Sequence, residues 1–233
     1  MDTCRAAVFV GTDQPLEIQE FDIPKIERGG ALLRMEMAAI CGTDAHAMHH
    51  PNTPAPMIFG HENVGVLTDV PTGITTDVLG EKLSAGDRVI FRDAPCGQCY
   101  PCAMSERCEN GLSYGMLPAD TGPRLRGGFG QFIYLSPTPW ILRVPDAVST
   151  ERALLSVIGN HTALNGVDRI GGISLADTVL VQGSGPIGMG ALTQVRAAGA
   201  SKVIVIGAPE NRLSLARDLG ADETIALDDY PES

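Results

Sequence analysis

Residues 177–188 read Asp-Thr-Val-Leu-Val-Gln-Gly-Ser-Gly-Pro-Ile-Gly, an apolar run followed by a glycine-rich turn. The apolar run predicts a buried strand, and Pro186 has the place that proline favours at the start of a helix. We expect this helix to run to about Ala198 and to end at Gly199. A strand, a glycine turn and a helix in this order form the first unit of a doubly wound parallel sheet.

The residues on either side of this unit extend the same architecture. Downstream, strands are predicted over residues 202–206 and 224–227, with a helix between them over residues 211–219 that ends at Gly220. Upstream, Ser149 or Thr150 can cap a helix over residues 151–167 that bends near Gly159. We therefore assign residues 151–233 to a partial Rossmann domain, an α/β fold from which the second half of the sheet is absent.

The glycine turn predicts a binding site for a dinucleotide. Gly183, Gly185 and Gly188 permit a tight turn, and with Pro186 and Ile187 they form a helix start that can receive a pyrophosphate. The alternative is a glycine-rich turn without a ligand.

The residues that distinguish NAD from NADP give no clear preference. An acidic residue is expected at the end of the second strand to bind the ribose 2′-hydroxyl, but Gly207 occupies that position. Arg212 is close enough in the sequence to bind a 2′-phosphate, and Glu210 could instead reach the ribose. Both NAD and NADP therefore remain candidates.

Residues 1–150 have the pattern of a β-rich domain. Short strands separated by turns are predicted at residues 6–10, 16–20, 31–37, 63–67, 87–91 and 127–135. This spacing is typical of a partly open barrel. We assign residues 1–150 to this barrel domain.

Four cysteines lie close together in the barrel segment, at Cys96, Cys99, Cys102 and Cys108. Four thiolates at this spacing can surround one tetrahedral zinc ion that is closed to substrate. The alternatives are metal-free thiols and an iron–sulfur cluster, although the last spacer is longer than in bacterial ferredoxins. We interpret the cluster as a structural zinc site that stabilises a surface loop.

A second possible metal site is divided between two motifs, Ile40-Cys41-Gly42-Thr43-Asp44-Ala45-His46 and Gly60-His61-Glu62. Thiolate and imidazole are ligands that zinc prefers, and Glu62 can add an oxygen. Asp44 can orient a histidine ligand, while Thr43 and His46 put a hydroxyl and a titratable ring near the ion. Two or three protein ligands leave a coordination position open, which is typical of catalytic zinc. The alternative is a buried cysteine beside a hydrogen-bonded histidine.

Composition narrows the class of protein. The chain has 233 residues, 44% of them hydrophobic and 19% charged, with a net charge of −11. This charge leaves no basic surface for nucleic acid and disfavours anionic membranes, so we expect neither partner. The amino terminus has no signal-peptide pattern, and no apolar run reaches the ~18 residues of a membrane span. We expect a cytoplasmic protein, in which cysteines stay reduced.

Taken together, these motifs resemble the zinc-dependent medium-chain alcohol dehydrogenase superfamily. The resemblance covers nearly the whole chain and rests on both metal motifs, the glycine turn, Gly86-Asp87-Arg88-Val89 and Gly127-Gly128-Phe129. Their order and spacing are most similar to the polyol, threonine and phosphonate-associated branches. The resemblance implies a GroES-like β-barrel domain followed by a Rossmann domain, in which a zinc-bound alcohol is oxidised by hydride transfer to NAD(P).

The resemblance also implies a role for each motif residue. Cys41 and His61 match zinc ligands, and Glu62 matches a residue that can ligate the same ion. Thr43 and His46 match a proton relay that runs from the alcohol through the cofactor ribose to solvent. The four clustered cysteines match the structural zinc site. A homo-oligomer is implied for a full-length chain.

The chain departs from the family pattern in several ways. The spacer before the last clustered cysteine is short, and Gly42 stands where some members have an arginine for the cofactor phosphate. The usual third zinc ligand is absent from the helix after the barrel. Asn160 is nearest to the expected position of this ligand, and His161 is the only residue in that region with a good zinc-binding side chain. Glu62 and water are the alternatives for the third coordination position. The chain is also shorter than the family, and we expect either a fragment or a truncated protein.

We therefore predict an NAD(P)-dependent zinc alcohol dehydrogenase. Its substrate would be a secondary alcohol, a polyol or a similar hydroxy compound, or the corresponding carbonyl compound. Two alternatives stay open. One is a zinc-independent quinone or enone reductase on the same scaffold, and the other is a dinucleotide-binding relative that kept the fold without catalysis.

Overall fold

The computed structural model describes residues 3–70, 72–92, 96, 99–104, 108–111, 113–116, 125–137 and 139–227. The chain divides into two units, Met1–Leu154 and Leu155–Ser233. Among the residues listed above, no helix combines the length and the apolar character that crossing a membrane requires.

The first unit is built on antiparallel strands. They are β1 (Thr3–Val8), β2 (Glu17–Asp22), β3 (Ala31–Ala39), β4 (Glu62–Leu67), β5 (Arg88–Arg92), β6 (Phe132–Leu135) and β7 (Trp140–Arg143). A five-stranded sheet has the order β6-β3-β4-β5-β7, and β1 pairs with β2. A bridge between Ala6 and Gly130 links β1 to the segment before β6. The β-rich architecture predicted for this part of the chain is confirmed.

Apolar side chains that alternate along the central strands stabilise this sheet. Leu33 of β3 and Ile133 of β6 are fully buried in one cluster with Val89. Their sequence neighbours Leu32 and Tyr134 are buried in a second cluster. Because neighbouring residues of a strand point to opposite faces, both faces of β3 are covered and its register is fixed.

Several elements of the first unit differ from the sequence-based expectation. Helices α1 (Gly42–His49) and α2 (Tyr100–Ala103) and strand β7 are short and were not predicted. The strand predicted at residues 127–135 is limited to β6, and Gly127 in the preceding segment packs against backbone instead. A Cβ atom on Gly127 would lie 2.0 Å from the carbonyl oxygen of Ile58.

The second unit contains a parallel sheet. Its elements are a π turn (Ser156–Asn160), α4 (His161–Arg169), β8 (Thr178–Gln182), α5 (Pro186–Ala198), β9 (Lys202–Gly207), α6 (Glu210–Asp218) and β10 (Glu223–Ala226). The strand order is β10-β9-β8, and both pairings are parallel. Val181, Leu192 and Val203 form part of the buried core between the strands and helices. The predicted first half of a doubly wound sheet is therefore present.

The helical segment before this sheet is less regular than expected. The expected bent helix is divided into α3 (Thr150–Leu155), the π turn and α4. Ser149 Oγ accepts a hydrogen bond of 3.3 Å from the N–H of Arg152 and so caps α3. Gly159 lies in the π turn, where a Cβ atom would be 2.5 Å from the carbonyl oxygen of Pro186. The bend expected near Gly159 thus takes the form of a π turn packed on the start of α5.

Candidate functional site

The first site begins where β3 passes into α1. Cys41 precedes the helix in an extended conformation, and its backbone N–H donates a hydrogen bond of 2.8 Å to Asp44 Oδ2. The N–H of Asp44 in turn donates to the carbonyl oxygen of Cys41 at 3.0 Å. This reciprocal pair fixes the start of the helix and with it the position of the Cys41 thiol.

Strand pairing brings the second motif to the first. Ala39 at the end of β3 is paired with Glu62 at the start of β4. Cys41 and His61 lie just beyond these paired ends. One ligand atom from each of Cys41, His61 and Glu62 lies within 4.8 Å of the other two. Three donor atoms this close can be reached by one ion with zinc-like bond lengths.

Glycine contacts hold the second motif in place. Gly60 accepts hydrogen bonds at its carbonyl oxygen from Asn63 Nδ2 at 3.0 Å and from the N–H of Gly128 at 2.8 Å. A Cβ atom on Gly128 would lie only 1.7 Å from Asn63 Oδ1. The Gly60-His61-Glu62 motif is therefore supported by the glycine pair that precedes β6.

A buried carboxylate oxygen of this site lacks a partner, which fits a metal ion. Glu62 Oε2 is buried without a hydrogen-bond partner within the described part of the chain, whereas Asp44 Oδ1 and His61 Nδ1, which also lack one, lie 3.3 Å apart in ion-pair range. Native proteins rarely leave such atoms without a protein, water or ion partner. Thiolate, imidazole and carboxylate are also the donor set that zinc accepts. The residues present therefore fit a zinc ion.

The electrostatics of the site favour a charged imidazole when no metal is bound. His61 Nδ1 lies 3.3 Å from Asp44 Oδ1, a contact in ion-pair range without good hydrogen-bond direction. The Asp44 carboxylate, against an opposing effect of burial and with a smaller contribution from Cys41, raises the pKa of His61 to about 9. A metal ion would thus have to replace a proton at His61.

A cavity of about 270 Å³ lies beside these donors. Its described lining residues are Thr43, His61, Phe91, Arg92, Ser113, Tyr114 and Met116. Thr43 Oγ1 lies 3.6 Å from Cys41 Sγ. His46 is exposed one turn further along α1 and does not line the cavity. The structure therefore places Thr43 at the cavity and His46 at the surface of the same helix.

The four clustered cysteines come together as a second group of donors. All four sulfur atoms lie within 4.8 Å of one another. The Sγ–Sγ distances are 3.9 Å for Cys96–Cys102, 3.4 Å for Cys99–Cys102 and 3.8 Å for Cys99–Cys108. Sulfur atoms at the corners of a tetrahedron with ~2.3 Å zinc bonds are ~3.8 Å apart. The spacing fits a closed zinc site.

Backbone amides favour the thiolate form in this cluster. Burial alone would raise the pKa of the Cys99 thiol, but hydrogen bonds from the N–H groups of Cys102 and Glu109 and from the Cys102 thiol together lower it. The N–H of Cys96 also donates to Cys108 Sγ at 3.3 Å. Thiolates are the form in which cysteine binds metal.

The predicted dinucleotide-binding turn joins β8 to α5. Gly183 has φ = 111°, and its N–H donates to the carbonyl oxygen of Ile206 on β9 at 2.7 Å. A Cβ atom on Gly188 would lie 1.8 Å from the carbonyl oxygen of Gly183, so the helix packs directly on the turn. Gly185 precedes α5, with Pro186 as its first residue and Ile187 next, and nothing lies within 4 Å of a Cβ built on Gly185. This open space leaves room for a phosphate at the helix start.

The end of β9 has a physical reason to lack an acidic residue. A Cβ atom on Gly207 would lie 2.4 Å from Ser184 Oγ, which is buried and donates to the carbonyl oxygen of Ala208 at 2.8 Å. Glu210 is ion-paired with Arg217. Arg212 is exposed, and its guanidinium has no ion pair or hydrogen bond with the described residues. Arg212 is therefore the basic group of α6 that is available near this strand end.

The candidates for a third ligand lie in the second unit. Asn160 ends the π turn, and His161 begins α4. His161 Nε2 lies 3.4 Å from Asn165 Nδ2. Within the described residues, the donor group formed by Cys41 and His61 is completed by Glu62.

Comparison with known proteins agrees with this arrangement. The family described as alcohol dehydrogenase GroES-like domain matches residues 27–146, just over half of the chain. This range contains both candidate metal sites. The chain belongs to the zinc-type medium-chain alcohol dehydrogenase superfamily.

Individual members of this superfamily match beyond the GroES-like domain. The chain is 33% identical over 236 residues to 5-exo-hydroxycamphor dehydrogenase of Pseudomonas putida, covering 98% of this chain and 63% of that protein. It is 33% identical to L-threonine 3-dehydrogenase of Rhizobium etli, and the match covers 95% of this chain and 61% of that protein. An alcohol dehydrogenase crystal structure from Thermotoga maritima has a TM-score of 0.89 at 34% identity. The match covers 98% of this chain and 64% of that chain. The chain thus spans about three fifths of the length of these dehydrogenases.

The cavity wall contains residues that sequence reasoning did not identify. Phe91 and Arg92 end β5, and Tyr114 and Met116 lie in a segment without regular structure. None of these residues belongs to a spaced motif. The position of Phe91 and Arg92 at the end of a strand, shortly before the first clustered cysteine, was the one available signal.

Proposed function

We propose that this chain forms the metal-binding and nucleotide-binding parts of a zinc-dependent dehydrogenase. The reaction would be hydride transfer between a small alcohol, either a secondary alcohol, a polyol or a similar hydroxy compound, and NAD or NADP. The observation that carries the proposal is the convergence of Cys41, His61 and Glu62 beside a cavity. Membership of the dehydrogenase superfamily supports the same reaction class.

The residues of the first unit would bind and deprotonate the alcohol. Cys41, His61 and Glu62 would hold zinc, which when bound supplies the Lewis acidity that lowers the pKa of an alcohol hydroxyl. Thr43 lines the cavity, and its Oγ1 would accept the hydroxyl proton as its own hydroxyl proton is passed on. His46 is exposed on the next turn and can pass a proton to solvent. The positions of the two side chains on α1 support these proposed roles.

The residues of the second unit would bind the dinucleotide. Gly183, Gly185 and Gly188 would hold its pyrophosphate at the start of α5 with Pro186 and Ile187. NAD(P), when bound, supplies the nicotinamide that accepts the hydride. Arg212 would lie toward the ribose, where a 2′-phosphate is the group that suits a guanidinium.

The four clustered cysteines would have a structural role. Cys96, Cys99, Cys102 and Cys108 would surround a second zinc ion, with no coordination position left for substrate. We place the protein in the cytoplasm, where the thiolates of both sites stay reduced. We further propose that a full-length chain is a homo-oligomer.

The experiment that tests this function combines turnover with cofactor binding. The zinc-loaded chain is assayed with a panel of small alcohols and NAD⁺ or NADP⁺, and Cys41→Ser and His61→Ala are assayed in parallel. Both variants should lose turnover and keep binding of the reduced cofactor, measured by its fluorescence. Turnover equal to wild type in either variant would refute the metal assignment. Cofactor binding without oxidation of any alcohol would favour a non-catalytic relative.

A further inference from the structure

The cavity beside Cys41 and His61 limits the size of its ligand. Its volume of about 270 Å³ corresponds to about nine water molecules at ~30 Å³ each. A ligand with roughly as many non-hydrogen atoms would fill it. A ligand of this size contacts the lining on several sides, so the chemistry of the lining selects among ligands.

The polar and apolar lining residues of this cavity differ in burial. Apart from the candidate metal donor His61, the described polar residues of the lining are exposed, and they are Thr43, Arg92 and Ser113. The described apolar and aromatic residues are buried or half-buried, and they are Phe91, Tyr114 and Met116. We call this second group the inner wall. The cavity thus has polar side chains toward solvent and mainly carbon surface at its inner wall.

An aromatic contact holds the inner wall in place. The rings of Phe91 and Tyr114 meet edge to face with centroids 5.4 Å apart. The Tyr114 hydroxyl accepts a hydrogen bond of 2.9 Å from the backbone N–H of Ser136, which is buried. The polar end of Tyr114 is therefore anchored in the protein core. Met116 completes the wall with a thioether side chain.

The charge of Arg92 lies away from the inner wall. Arg92 ends β5 directly opposite Trp140, the first residue of β7. Its guanidinium carbon lies 4.8 Å from the centroid of the Trp140 ring, and 44% of Trp140 is exposed. The guanidinium is therefore in contact with the indole at the solvent-exposed rim of the cavity. The inner wall itself contributes no charged side chain among the described residues.

We propose that the inner wall selects an apolar carbon skeleton, so that the substrate is a small alcohol with a single hydroxyl and not a polyol. This inference rests on the proposed function and narrows its substrate class. Alkyl or ring carbons placed against the inner wall leave water for an apolar surface, which favours binding. A further hydroxyl at the same place would lose its hydrogen bonds with water and meet carbon and sulfur atoms instead, which weakens binding.

The binding test compares two ligands of equal size. Cyclohexanetriol and dimethylcyclohexanol share a carbon ring and have the same number of non-hydrogen atoms, because methyl groups in the second replace two hydroxyls of the first. Calorimetry of the zinc-loaded chain should show at least ~10-fold tighter binding of dimethylcyclohexanol. Tighter binding of the triol would overturn the inference. Equal binding of the two ligands, including no measurable binding of either, would also overturn it.

Three variants show whether the inner wall is responsible. Met116→Gln keeps a similar side-chain length but adds an amide that can bond a hydroxyl, and should reduce the preference for dimethylcyclohexanol about fivefold. Met116→Leu keeps the wall apolar and should retain the preference. Met104→Gln makes the same exchange at an exposed methionine that does not line the cavity, and should also retain it. An unchanged preference in Met116→Gln would contradict the role of the wall.

Turnover separates this inference from the proposed function. With zinc and NAD⁺ or NADP⁺, dimethylcyclohexanol should have the higher kcat/KM, and Met116→Gln should reduce this advantage mainly through KM. Equal oxidation of the two alcohols would reject selection by the inner wall and keep the dehydrogenase. Tighter binding of dimethylcyclohexanol without oxidation of either alcohol would reject the dehydrogenase and leave an apolar ligand cavity.

Discussion

Asp44 Oδ1 lies 3.3 Å from Nδ1 of His61, and the Asp44 side chain is almost completely buried. The carboxylate raises the pKa of His61 from 6.5 to about 9. A raised pKa stabilises the protonated form, so in the metal-free protein this contact stabilises the fold fully below pH 6.5 and is lost as the pH rises through about 9. Zinc requires the neutral imidazole, so Asp44 opposes metal binding at low pH and can orient the ring once the proton has left.

Replacing Asp44 by asparagine should reduce the proton release that accompanies zinc binding. Asn keeps an oxygen that can accept the hydrogen bond from the N–H of Cys41 but loses the charge that holds the proton on His61. At about pH 8 the wild type should release about one proton more than Asp44→Asn, because His61 in the variant is already neutral. Calorimetry of zinc binding in buffers of different ionisation enthalpy measures this number.

Asp13→Asn is the matched control for this comparison. Asp13 also contacts a histidine, His49 Nδ1, at 2.6 Å, but both side chains are exposed. This variant should release as many protons as the wild type. Equal proton release from wild type and Asp44→Asn would show that Asp44 does not hold the His61 proton.

The parallel half of the fold could be predicted closely because its signals are local. Proline at the first position of α5 and glycine in a left-handed conformation after Ala198 fix both ends of that helix. The strand predicted over residues 202–206 likewise agrees with β9 to within one residue. Each of these features depends on residues that are neighbours in the sequence.

The geometry of the candidate metal site could be predicted only in part because it depends on pairing. Cys41 and Glu62 are brought together by the alignment of β3 with β4, which contains an irregularity between Met35 and Met37. Helix α1 carries alanines and polar residues without an apolar period, so its helical state had no clear sequence signal. Arg92 reaches the cavity through cross-strand contact with Trp140, which no local pattern shows.

Changing Cys99 should remove one zinc ion and destabilise the first unit. Cys99 contributes to two of the close sulfur contacts of the cysteine cluster, and it is the most buried of the four thiols. For Cys99→Ser we expect zinc content to fall from about two ions per chain to about one. The Tm should fall by about 5 °C or more, since ~1 kcal/mol corresponds to ~2–4 °C in a protein of this size.

Cys41→Ser provides the comparison for the cysteine cluster. It should also remove one zinc ion, but with a smaller change in Tm, because its site is held by β3, β4 and α1 without the metal. Elemental analysis and thermal unfolding measure both quantities. Unchanged zinc content in Cys99→Ser would contradict the structural-site assignment.

Gly128→Ala should destabilise the first unit and disturb the Gly60-His61-Glu62 motif. The new Cβ atom would lie 1.7 Å from Asn63 Oδ1. The Asn63 side chain, which donates a hydrogen bond to the carbonyl oxygen of Gly60, would therefore have to move away. Overpacking of this kind costs about 1–3 kcal/mol of unfolding free energy. Gly166→Ala is the control, because its Cβ meets nothing within 4 Å in α4 and should stabilise by up to ~1 kcal/mol. Denaturant unfolding should show a lower free energy of unfolding for Gly128→Ala and an unchanged or higher one for Gly166→Ala. A Gly128→Ala variant as stable as the wild type would be inconsistent with this packing of Gly128 on Asn63.

Gly185→Ala should separate cofactor binding from folding in the second unit. Gly185 has φ = −83° and open space around its Cβ position, so alanine fits the unliganded turn without strain. A pyrophosphate seated at the start of α5 would occupy that space, and the methyl group would hold it away from the backbone N–H groups. We expect unchanged thermal stability and at least ~10-fold weaker binding of NADH and NADPH, measured by their fluorescence. Gly188→Ala should lower both properties, because its Cβ would lie 1.8 Å from the carbonyl oxygen of Gly183. Full affinity in a stable Gly185→Ala protein would mean that the dinucleotide does not bind at this turn.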